Sequence, residues 1–136
     1  MPPSKKSSGP QKSLEQIVED VALYPLEAYD FVQRGLSYTV QKLHGEVKDP
    51  NASRHVSGRQ LCEGLRDLAL MQWGRLARTV LMRWNINGTD DFGRIVFAMV
   101  DHGYMHKTDE DNFEDFRNVY DFVMAFEQDY RIECKS

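Results

Sequence analysis

The sequence predicts an all-α, single-domain bundle of about five or six helices. Three observations carry that expectation. Apolar residues recur at steps of three and four along most of the chain, cap signals punctuate those runs, and apolar–polar alternation never persists long enough for a convincing strand. With 136 residues, 41% of them hydrophobic, one core can form without a disulfide or metal staple.

The first thirteen residues, MPPSKKSSGPQKS, offer no core anchor and read as a disordered basic tail ahead of a domain spanning 14–132. Ser13 with Gln16 makes a capping box for a short helix to about Ala22, with Leu14, Ile17, Val18 and Val21 on one side. Tyr24-Pro25 interrupts it, since a residue before proline avoids the helical region, and Pro25 then opens a second helix. Leu26, Tyr29, Val32, Leu36, Val40 and Leu43 form its stripe, and Gly45 caps its end.

After a polar loop around Asp49-Pro50-Asn51, Ser57 and Gln60 make a second capping box. From it runs a long pattern through Leu61, Cys62, Leu65, Leu68, Ala69, Gln72, Leu76, Val80 and Leu81, with a kink or division expected at Gly74. Asn85 to Gly88 is a turn, and Thr89 caps a helix whose stripe is Phe92, Ile95, Val96, Met99 and Val100. Helix 75–84, that turn and helix 90–102 have a helix-turn-helix outline, followed by a minimal extended segment at 104–107. Asp111 with Glu114 resembles one more capping box, opening a helix that carries Phe113, Phe116, Tyr120, Phe122, Phe126 and Tyr130. Glycines 35, 64, 74 and 93 fall inside helical patterns, where each costs about 1 kcal/mol relative to alanine. Tight helix crossings account for them better than phosphate loops, because neither GxGxxG nor GxxxxGK[ST] occurs.

Charge is segregated. Arg54 to Trp84 holds six arginines against two acids, together with both tryptophans, whereas the residues from 85 onward carry twelve acids against five bases. Laid on a helix, Arg59 and Arg66 share a face and bracket Glu63 at ion-pairing distances, while Arg75 and Arg78 point elsewhere. A single phosphate-binding stripe is therefore not expected, and the net charge of -4 argues further against broad nucleic-acid affinity. Asp90, Asp91 and Asp101 against Arg94 likewise make the second helix of the outline a poor reader of DNA.

Catalytic and metal constellations are weak. His102 and His106 have the i,i+4 spacing of a zinc pair, but the catalytic Glu of HExxH is missing and Gly103 breaks the helix between them. Cys62 near a helix start, with His55 close in sequence, could suggest a nucleophile, yet it sits among core positions. The run Asp109-Glu110-Asp111 fails the EF-hand pattern at its fifth, sixth and twelfth positions. No catalytic, cofactor-binding or metal-binding residue and no cofactor is assigned. Cys62 and Cys134 are too distant in sequence to suggest a bridge, and a cytoplasmic location is the expectation.

Three strings together, YPLEAYDFV (24–32), RHVSGRQLCEGLRDLAL (54–70) and TDDFGRIVFAMVDHGYMHKT (89–108) with DFRNVYDF (115–122), resemble a family of small conserved hypothetical proteins of planctomycete and verrucomicrobial bacteria. The resemblance covers about 14–132 and implies a bacterial, free-standing protein; the family brings no activity, substrate or cofactor. The expected function is a non-enzymatic protein–protein interaction module, with Arg75, Arg78, Arg83, Trp73 and Trp84 as its candidate surface and the aromatic C-terminal helix as a second. The alternative is an RNA- or ribosome-associated factor using the lysine tail and the arginines of 54–84. A protein partner is expected, with a homodimer among the candidates and no membrane.

Overall fold

A computed structural model describes residues 14–45, 55–105 and 111–128. It is an all-α fold in which five α-helices stand among the described residues: α1 (Leu14–Val21), α2 (Leu26–His44), α3 (Gly58–Trp73), α4 (Ala77–Arg83) and α5 (Thr89–Asp101). A 3₁₀ turn, Gly74–Leu76, separates α3 from α4. The expected disordered tail, Ser13, Arg54, His106 and Cys134 lie outside the described residues.

The α3 start forms as its sequence dictates. Ser57 Oγ accepts from the Gln60 N–H at 3.1 Å, and Gln60 Oε1 accepts from the Ser57 N–H at 2.9 Å. Pro25 stands just ahead of α2 in extended conformation, one position earlier than expected. At its other end Gly45 turns to φ 61° and donates its N–H to Gln41 O, relieving an orphan carbonyl.

The core is built on the α2–α3 crossing, where two glycines let the helices approach. A Cβ on Gly64 would lie 1.8 Å from Thr39 Oγ1, and one on Gly35 would lie 2.1 Å from Leu65 Cδ2. Thr39 is itself buried and donates its hydroxyl to Gly35 O at 2.7 Å. Tyr29, Phe31, Leu61, Leu65, Phe92 and Ile95 fill the space between these helices and α5 without solvent exposure. α1 adds Ile17 to that core, and His102 ties it down through a 3.0 Å contact to Asp20.

The C-terminal third departs from the expected continuous helix. A 3₁₀ turn, Phe113–Phe116, is followed by extended Arg117 and by Asn118 at φ 47°, before a π-helical turn at Met124–Gln128. Tertiary contacts override the helical spacing here. Phe116 and Phe113 pack against Gly93 of α5, where a Cβ would meet them at 2.9 and 3.1 Å. The buried Thr89 hydroxyl donates to Phe116 O at 2.6 Å and accepts from the Val119 N–H at 3.2 Å. Thr89 therefore clamps the returning chain instead of capping α5; Gly88 holds the cap position. The cap at the 3₁₀ turn is Asn112 with Asp115, not Asp111 with Glu114. Asp111 is buried and accepts from or donates to the His55 ring at 3.1 Å, according to the proton each holds.

Candidate interaction surface

The five residues expected at the surface divide into three groups. Trp73 and Trp84 are half-buried and form a cluster with Phe31, with ring centroids 5.1 and 5.9 Å from Phe31 and 5.4 Å from each other. Such aromatic pairs hold the α2, α3 and α4 ends together, so both tryptophans are first of all packing residues. Arg78 is half-buried and engaged in contacts of its own. Arg75 and Arg83 are exposed, and no carboxylate pairs with either among the described residues.

Beside these two arginines lie large apolar side chains that sequence reasoning missed. Leu76 is 64% exposed, Met71 63% and Met82 49%. The helical pattern had placed Leu76 in the core, on the face of Leu68 and Gln72. The break at Gly74, where φ is 52° in a region open chiefly to glycine, ends α3 and the 3₁₀ turn advances the chain by a different angle per residue. Leu76 is carried outward as a result, while Ala77 and Leu81 take the inward positions of α4. The phase change was the available signal, because the sequence already marked Gly74 as the break.

On α4 the buried face is Ala77 and Leu81; the outward positions are Thr79, Met82 and Arg83, preceded by the exposed Arg75 and Leu76 of the 3₁₀ turn. Their three- and four-residue steps make one continuous strip. Met71 and Gln72, both exposed at the end of α3, lead into it. No acid occurs between Asp67 and Asp90. Isolated exposed apolar residues are ordinary on any protein surface; here three long ones lie within twelve residues, together with two arginines that pair with no carboxylate among the described residues.

Other constellations resolve as structure. Cys62 is fully buried, and burial pushes its thiol well above the ordinary range, so it is a poor nucleophile. His55 faces Asp111, and the backbone carbonyl of Cys62 accepts the Tyr120 hydroxyl at 2.6 Å. His102 uses both ring nitrogens, at 2.7 Å to Ala98 O and 3.0 Å to Asp20. Among the described residues, no group of His, Cys, Asp and Glu could hold a metal ion. In the aromatic C-terminal segment Phe116, Phe122 and Phe126 are buried, Phe113 and Tyr120 are half-buried, and Tyr130 lies outside the described residues.

An open cleft of about 500 Å³ lies at the start of α5, between Asn87, Asp90, Arg94 and Asp121. Two of its charged groups, Asp91 and Arg94, pair with each other. Asp91 accepts from the Tyr24 hydroxyl at 2.5 Å, from Arg94 at 2.7 Å and from the Asn87 N–H at 2.8 Å, which fixes the turn ahead of α5. Across α2 and α3, Lys42 and Asp67 form a surface ion pair at 2.5 Å. Of the helix-turn-helix outline, the structure shows α4 and α5 as consecutive helices, and the exposed Arg94 of α5 is paired with Asp91. No helix among the described residues is long and apolar enough to cross a membrane.

Comparison with protein families, with curated proteins and with solved structures finds no match to this chain.

Proposed function

We propose that the protein is a non-enzymatic interaction module that docks a partner protein through the outer strip of α4 and the adjoining corner of α3. The observation that supports this reading is the exposure of Met71, Leu76 and Met82 alongside Arg75 and Arg83, with no acid in the intervening chain. Methionine and arginine are enriched at protein interfaces, and exposed leucine and methionine lose water on docking at about 25 cal/mol for each Å² buried.

The nucleic-acid alternative would use the lysine tail together with the arginines of 54–84. The exposed strip itself offers Arg75 and Arg83, and two phosphate contacts give a log–log salt slope of only about -1.4 for single strands, so this strip alone would hold nucleic acid weakly at physiological salt. An overall charge of -4 opposes it further.

The test is affinity capture from the native cell with wild type and a Leu76→Glu/Met82→Glu variant. A protein retained by the wild type after nuclease treatment and lost by the variant, with unchanged thermal unfolding, is the expected result. Retention that needs RNA, or that survives both substitutions, would sink the reading.

A further inference from the structure

Resting on that reading, the geometry points to a particular partner chemistry: we infer that the α4 strip docks an acidic amphipathic helix carrying two carboxylates about two turns apart with apolar side chains between them. Four observations lead there.

The first is charge. Arg75 and Arg83 are exposed without a carboxylate partner among the described residues, and no acid lies between Asp67 and Asp90 to neutralise them on docking. A partner that covers Leu76 and Met82 must also dehydrate part of both guanidiniums, which is favourable only against acceptors, best of all carboxylates. A second copy of this chain in a two-fold pairing would set these same arginines against each other, so a homodimer is the weaker occupant.

The second is spacing. Arg75 and Arg83 are separated by eight residues, two of them in the 3₁₀ turn and the rest in α4. That places their Cα atoms about 13 Å apart along the helix, given rises of about 2.0 and 1.5 Å per residue. On a docked helix the same distance is about eight residues, so acids at i and i+7 or i+8 meet the two arginines. Leu76, Thr79 and Met82 lie between them and would face the partner's apolar stripe.

The third is shape. The described residues contain no sheet whose edge could accept an extended peptide. The surface is a ridge on a helix, and ridges pack into the grooves of another helix.

The fourth is side-chain type. Met71 and Met82 are unbranched and adaptable, suited to a facing surface whose apolar residues vary.

The experiment is selection of a displayed library of helical peptides of about 16 residues, long enough to hold helix on binding, against the full chain, with Leu76→Glu protein as counter-target. All substituted positions are exposed, and circular dichroism with thermal unfolding verifies that each variant keeps the fold. The expected outcome is enrichment of peptides with acids at i and i+7 or i+8 around an apolar stripe. The synthesised peptide should then bind the wild type and lose about tenfold or more in affinity on Arg75→Glu/Arg83→Glu, and as much on Leu76→Glu. Peptides that depend on Leu76 but are neutral or basic would overturn this inference while leaving the interaction module standing. If nothing enriched is sensitive to Leu76→Glu, both fail. An RNA oligonucleotide that displaces the peptide at moderate salt would also overturn it, in favour of the nucleic-acid reading.

Discussion

Replacing Gly64 by alanine sets two effects of opposite sign against each other. Within a helix, alanine is favoured over glycine by about 1 kcal/mol, so propensity alone predicts a more stable protein. The structure predicts the reverse. The new Cβ would lie 1.8 Å from Thr39 Oγ1 and 3.0 Å from Thr39 Cβ. Thr39 cannot swing away cheaply: it is β-branched, buried, and its hydroxyl is committed to Gly35 O at 2.7 Å. Either its hydroxyl loses that bond while staying buried, at about 1–3 kcal/mol, or α2 and α3 separate, with an overpacking penalty of about 1–3 kcal/mol. Net of propensity, Gly64→Ala should destabilise by about 1 kcal/mol. Urea denaturation followed by tryptophan fluorescence measures it, since Trp73 and Trp84 sit at the α3–α4 junction. Thr39→Ala removes the clashing hydroxyl, so the double variant should be more stable than Gly64→Ala alone by about 1–2 kcal/mol, a coupling read from the cycle. A Gly64→Ala protein as stable as the wild type, or more so, would refute the close-crossing account.

Three other predictions concern burial and capping. Burial holds the phenols of Tyr24, Tyr29 and Tyr120 and the thiol of Cys62 protonated above their ordinary ranges, Tyr24 additionally through its hydrogen bond to Asp91. The folded chain keeps these protons longer than the unfolded one, so their contribution is complete below the unfolded values and is lost as pH rises. Urea midpoints should hold to about pH 8, fall from about pH 9 as the thiol of the unfolded chain ionises, and fall more steeply above about pH 10, by up to about 1.4 kcal/mol per unit for each group; a flat profile to pH 11 would contradict this. In a Cys134→Ser background, Cys62 should react with an aromatic disulfide reagent at about a thousandth of the free-thiol rate or less, and rapidly once urea unfolds the chain; rapid labelling of native protein would show it accessible. Ser57→Ala removes one half of the α3 capping box and should cost about 1 kcal/mol, with faster amide exchange confined to the first turn of α3.

What was legible in the sequence follows from which forces are local. Capping at Ser57, the stop at Gly45 and the break at Gly74 are set by neighbouring residues, and all three are found where the pattern places them. The glycines inside helices were also readable, as crossings, although their partners Thr39, Leu65 and Phe116 were not. Long-range contacts erased the rest. Phe113 to Tyr120 has helical spacing, yet Gly93 and Thr89 fix that segment as a 3₁₀ turn and an extended return. The candidate surface was half legible for a similar reason. Its arginines stood out by charge, but the tryptophans read as outward anchors are packed on Phe31, and Leu76 read as core is turned outward by the 3₁₀ break.

The central claim is that the outer strip of α4, together with the end of α3, is where a partner sits. Amide hydrogen exchange of the full chain, free and bound to the partner or peptide recovered by capture or selection, tests it most directly. Slowed exchange concentrated in 71–84, with the α5 cleft at Asn87, Asp90 and Asp121 unchanged, is the predicted footprint. Protection centred on that cleft, with 71–84 unaffected, would contradict it.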